Sequence, residues 1–279
     1  MNIKELNNFI GLGIAGNFAY HLEQAGEDKD FVDIQTKEAN EPKGIFPFYI
    51  PKTDSFLGIF PLSSKQINLP TIDKELNLQM EPEMALIAQI VYDENMQVKD
   101  LKFSHFTAYN DCSIRKEGAK KISEKKNWGI ESKGISDQII TLDKFKKGGT
   151  LDSYHLASFL KRDGVVYPYG EDSAVINYNY FYDKLKNWII DKLNTQKDFG
   201  PLEDMSMILK EANYPQNLLI SIGATSYTTF GKENFLQKQD ELYIYLYDSN
   251  FYSKNDIFYL AKNGITQIPH SSTLHQSIV

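Results

Sequence analysis

Apolar residues gather in short runs along most of this chain, and only two stretches space them as a helix would. Met84-Ala85-Leu86-Ile87-Ala88-Gln89-Ile90-Val91-Tyr92 is nearly continuous, the pattern of a strand buried on both faces. Further strand-like runs lie at 83–92, 103–111, 138–142, 151–160, 218–222 and 242–247, the last alternating Leu and Ile with Tyr. Arg162-Asp163-Gly164 marks a turn. From Ala174 to Leu193 the residues Val175, Tyr178, Phe181, Tyr182, Leu185, Trp188 and Ile189 recur every three or four positions, which predicts a helix whose stripe packs on a core. A shorter helix is expected over 202–212, with Pro201 near its start. Up to about residue 75, Pro42, Pro47, Pro51, Pro61 and Pro70 break the chain into a loop-rich segment.

Composition narrows the functional classes. A chain of 279 residues suits one large domain or a core with a small appendage. The net charge of -7 argues against nucleic acid, which calls for a clustered basic face. No run reaches the ~18 apolar residues of a membrane span, so no membrane partner is expected. The single cysteine, Cys112, excludes a disulfide framework within one chain and points to a reducing, cytoplasmic setting. A buried cysteine usually behaves as a compact hydrophobe, so Cys112 is not the preferred nucleophile. Met1 to Leu6 is polar and charged, unlike a secretory leader.

Candidate chemistry centres on Glu81-Pro82-Glu83 at the head of the apolar run and on Asp111 about thirty residues later. Strand positions i and i+2 share a face, so Glu81 and Glu83 project together. Carboxylates so close repel unless a cation lies between them, and Mg²⁺, Mn²⁺ or Ca²⁺ prefer such oxygen ligands. An arbitrary Glu-x-Glu is more often a solvated strand face. Gly11-x-Gly13-x-x-Gly16 matches a dinucleotide fingerprint in letters, but residues 1–8 make a poor buried strand and no βαβ continuation follows Asp33.

Glu81-x-Glu83 before an apolar strand, followed by Asn110-Asp111-x-Ser113-x-Arg115, resembles the fumarylacetoacetate hydrolase superfamily. Gly16-Asn17-Phe18-Ala19-Tyr20-His21 is similar to the family's Gly-x-Asn-Tyr-x-x-His segment. Ile67-Asn68-Leu69-Pro70, Lys133-Gly134-Ile135-Ser136 and Ile222-Gly223-Ala224-Thr225 also resemble family motifs in order and spacing, over roughly residues 10–248.

The resemblance implies a mixed α/β, strand-dominated fold with a β-roll or sandwich core and a few flanking helices. It divides the chain into a loop-rich segment with a lid (1–75), a catalytic core (76–248) and a C-terminal appendix (249–279), and it favours a homodimer. It further implies a divalent-metal-dependent enzyme that cleaves a C–C bond in a small acylpyruvate-like or β-diketo acid through a metal-held enolate. Glu81, Glu83 and Asp111 would hold Mg²⁺ or a similar ion, and Lys133 would contact the oxyanion. Arg115 and Thr225 would bind substrate, Arg115 by orienting its carboxylate or alternatively by bracing the metal ligands. His21 would be the general base. Where many relatives complete a His-Glu dyad this chain has Gln24; Glu23 is one place early and serves only on an irregular backbone. That departure favours an alternative, decarboxylation or tautomerisation of a 2-oxo acid, which needs no activated water. A non-catalytic binding protein descended from the enzyme is the third reading. Bland roles stand beside these: a lid histidine for His21, a solvated loop lysine for Lys133 within the charged stretch that includes Lys125 and Lys126, and an Asp111 salt-bridge partner for Arg115.

Overall fold

In the computed structural model, residues 2–18, 24–26, 28–70, 77–115 and 118–279 are described. Their strands are β1 (Ile10–Ala15), β2 (Gly44–Tyr49), β3 (Leu62–Ser63), β4 (Gln66–Ile67), β5 (Leu78–Gln79), β6 (Pro82–Tyr92), β7 (Val98–Asn110), β8 (Ser113–Ile114), β9 (Lys133–Ile135), β10 (Ile140–Thr141), β11 (Tyr154–Arg162), β12 (Val165–Ala174), β13 (Asn217–Ser221), β14 (Glu241–Asp248) and β15 (Ser271–Ile278). The larger sheet runs β2-β1-β13-β6-β7-β9-β3, with β10 beside β7; the second runs β12-β11-β14-β15-β4. The fold is strand-dominated, as expected from the apolar runs.

The two sheets pack face to face. Leu86, Phe106 and Ala108 of one and Leu156, Ile244, Leu246 and Leu274 of the other are buried in a common core. Each of the Leu, Ile and Phe side chains contributes roughly 1.5–3 kcal/mol by leaving water. The expected turn joins β11 to β12 through Asp163 (φ 52°) and Gly164 (φ 79°), both left-handed, as a two-residue hairpin loop matching the twist of its strands requires.

Several elements differ from the sequence expectation. The long helix starts at Tyr182 and ends at Thr195, because Phe181 is extended (φ -145°, ψ 162°). Val175, Tyr178 and Tyr180 are buried before it on a 3-10 turn and irregular chain, so apolar spacing continued past the helix. The second helix is Met205–Glu211, capped by the Asp204 side chain.

The loop-rich N-terminal segment supplies β1 and β2 to the large sheet. Gly11 and Gly13 lie inside β1, and a Cβ on either would fall 2.3 Å from the Phe48 or Phe46 ring. The glycines make room for aromatic rings; no phosphate-binding turn exists there. Residues 249–279 pack on and within the second sheet. Helix Lys254–Lys262 buries Ile257 and Ala261 against Phe159, Tyr243 and Tyr245, and β15 lies between β14 and β4.

Candidate metal centre

The register of the long hairpin assembles the acidic cluster. Glu81 enters β6, Pro82 pairs with Asn110 at the end of β7, and the Asp111 amide donates to the Glu81 carbonyl at 2.9 Å. The Asn110 side-chain oxygen accepts from the Glu81 amide at 3.2 Å. Ligand oxygens of Glu81, Glu83 and Asp111 all lie within 4.8 Å of one another, and all three residues are buried. The hairpin register thus brings the three acids together, Glu81 from just ahead of β6 and Asp111 from just beyond β7.

Cations surround them. Arg115 Nη1 lies 2.8 Å from Glu81 Oε1, while its Nε donates to Gln79 at 2.8 Å and its Nη2 to the Tyr227 hydroxyl at 3.1 Å. Arg115 thus braces Glu81, not Asp111. Lys133, fully buried, donates to the carbonyls of Asp111 (2.8 Å) and Cys112 and lies 3.1 Å from Asp111 Oδ1. It is a buried fixture beneath Asp111, contrary to a solvated loop lysine.

Sequence reasoning missed Lys126. Its ammonium lies 2.6 Å from Glu81 Oε2 and 2.6 Å from Asp111 Oδ2, and 5.2 Å above the Phe46 ring. It is 3 % exposed. A lysine in a run of charged residues carries no sign of burial, and the family motifs quoted above do not include it.

Glu83 is set differently from its neighbours. Burial, then the charges of Asp111 and Glu81, push its carboxyl well above the usual carboxylate range, opposed by Lys126 and the Gly223 amide. That amide donates to Glu83 Oε2 at 2.8 Å from a backbone at φ 111°, a conformation suited to glycine. Burial also pushes the Cys112 thiol up to about 12, which suits a core residue and not a nucleophile.

Around the cluster, Ile14, Ala15, Phe31, Phe46, Ile122 and Ala224 line a cavity of about 20 Å³, roughly the room of one water. Asn17 fixes one rim: its Nδ2 donates to the carbonyls of Ile222 (2.9 Å) and Tyr180 (3.1 Å), and its Oδ1 accepts from the Tyr180 amide (2.9 Å). Thr225 is buried beside this turn, its amide donating to the Pro82 carbonyl at 3.3 Å. His21 and Glu23 lie outside the described residues. Gln24, where the dyad carboxylate would stand, accepts from the Tyr227 amide (2.7 Å) and donates to its carbonyl (3.4 Å), a pairing a carboxylate could not complete.

Three carboxylates in this geometry fit a hard divalent ion by donor type and spacing. The fold is like that of solved fumarylacetoacetate hydrolase-type proteins. The chain belongs to a family described as of unknown function, DUF5718, whose profile matches residues 27–278. A solved protein from Oleispira antarctica assigned as a fumarylacetoacetate isomerase/hydrolase is 10% identical, with TM-score 0.53 over 97% of this chain and 93% of its own. A 2-keto-3-deoxy-D-arabinonate dehydratase complexed with magnesium and 2,5-dioxopentanoate is 16% identical, TM-score 0.50, over 98% of this chain and 73% of its own. A maleylpyruvate hydrolase from Sphingobium sp. SYK-6 is 10% identical, TM-score 0.50, over 97% and 70%. No curated protein matches by sequence.

Proposed function

We propose that this protein is a divalent-metal-dependent enzyme of the fumarylacetoacetate hydrolase type that cleaves a C–C bond in a small acylpyruvate-like or β-diketo acid. The observation that carries the reading is the buried Glu81, Glu83 and Asp111 group on this fold. A bound Mg²⁺ or similar ion supplies Lewis acidity toward the adjacent oxygens of a 2-oxo acid. The chain's own groups do the rest. Arg115 and Lys133 hold Glu81 and Asp111 in place. Phe31, Phe46 and Ile122 give the cavity beside the cluster an apolar wall. His21 would move the proton.

A second reading is decarboxylation or tautomerisation of a 2-oxo acid at the same cluster. The Gln24 pairing with Tyr227 favours it, since no carboxylate stands at position 24 to activate water with a histidine.

The test is the thermal-unfolding midpoint in EDTA and then with Mg²⁺, Mn²⁺ or Ca²⁺, each with and without oxalate as an enolate mimic, for wild type and Glu83→Ala. A ligand that binds only the native state at a hundred times its Kd adds about 2.7 kcal/mol of stability. The expected result is a metal-dependent rise that oxalate enlarges and the variant lacks. Product analysis with acylpyruvates and with oxaloacetate then separates hydrolysis from decarboxylation. No shift under any condition removes the metalloenzyme reading and leaves the binding protein.

A further inference from the structure

The Lys126 ammonium occupies the mouth of the acidic cluster. It touches one oxygen of Glu81 and one of Asp111 at 2.6 Å each, is as buried as they are, and lines the same small cavity. With Lys133 and Arg115 it sets three cationic side chains beside the three acids, so the described cluster already carries protein counter-charges. A divalent ion held by the same carboxylates needs oxygens at about 2.0–2.6 Å. Its double charge beside the ammonium, away from water, would be strongly repelled.

We propose that Lys126 is a built-in counter-ion of this centre, which a divalent ion must displace from Glu81 and Asp111 in order to bind. The inference rests on reading the acidic cluster as a metal site. Two properties follow: the protein stays folded without metal, and its metal affinity is set below what three carboxylates would give. Displacement also exchanges one positive charge for two, leaving the cavity more attractive to an anionic substrate. Lys126 sits directly after the 3-10 turn Ile122–Lys125, which carries cavity-lining Ile122, so its withdrawal would move part of the wall as well.

Mn²⁺ titration followed by electron paramagnetic resonance of the free ion tests this without any assay of turnover. Lys126→Met is expected to bind Mn²⁺ at least tenfold more tightly than wild type and to melt lower than wild type in EDTA; Lys126→Met/Glu83→Ala should lose the binding. Equal or weaker binding by Lys126→Met overturns the proposal and leaves the metalloenzyme reading intact. Binding by Lys126→Met alone supports the proposal and removes metal dependence from the wild-type protein. Binding by neither overturns both. Should Lys126→Met fail to fold, acylation of wild-type lysines read by mass spectrometry serves instead. Lys126 is expected to be protected in EDTA and modified at saturating Mn²⁺, and unchanged protection at saturation overturns the proposal.

Discussion

Glu203 is a buried carboxyl outside the acidic cluster, and burial raises it to about 7 against the opposing influence of Ser123 and Lys121. A carboxyl raised in the native state binds more protons there than when unfolded. Its contribution to stability is therefore complete below its unfolded value of 4.5 and is lost as pH rises through about 7. The total is on the order of 3 kcal/mol. Urea unfolding at pH 5 and pH 8 should show wild type losing more stability than Glu203→Gln over that interval; parallel losses would show that Glu203 is not held protonated. Legibility at this scale divides by chemistry. Glu81, Glu83 and Asp111 could be found because strand parity and motif order both constrain acids near an apolar strand. Lys133 was named only through its motif, and Lys126 could not be placed at all, because a lysine beside Lys121, Glu124 and Lys125 reads as solvated until tertiary structure buries it.

Among the elements, β6, β7, β11 and β14 were legible because their apolar residues exceed what any solvated segment carries. β1 was hidden by its composition: at Gly11 and Gly13 the space a side chain would take is filled by Phe48 and Phe46 of β2. Gly13→Ala would press a Cβ into the buried Phe46 ring, the ring beneath the Lys126 ammonium. Overpacking of this kind costs about 1–3 kcal/mol. Chemical denaturation should show that loss, whereas a change below about 0.5 kcal/mol would mean that Phe46 moves aside freely. β15 was hidden for the opposite reason. Ser271-Ser272-Thr273 reads as a polar tail, yet its groups are buried between the sheets: the Ala108 amide donates to Ser272 Oγ at 2.9 Å, and Ser136 Oγ donates to the Thr273 carbonyl at 2.7 Å. Hydropathy records the polarity and not its internal partners.

For the molecule as a whole, the C-terminal residues are structural members of the site. Gln276 on β15 accepts from Asn110 Nδ2 at 3.1 Å, and Asn110 in turn receives the Glu81 amide. A chain ending at Asp248 would strip the second sheet of β15 and uncover Ile244, Tyr245 and Leu246. It should be insoluble or lack cooperative melting; a soluble truncation melting within a few degrees of the intact chain would show β15 to be dispensable. The large sheet has a further consequence, for synthesis. β1 lies between β2 and β13, in parallel register with β13 from Ile10↔Leu218 to Gly13↔Ser221. At ~5–20 residues per second, a ribosome makes β13 on the order of tens of seconds after β1. The first strand of the sheet to leave the exit tunnel thus waits with one edge unpaired while most of the chain is translated. Until β13 emerges, that edge of β1 needs shielding.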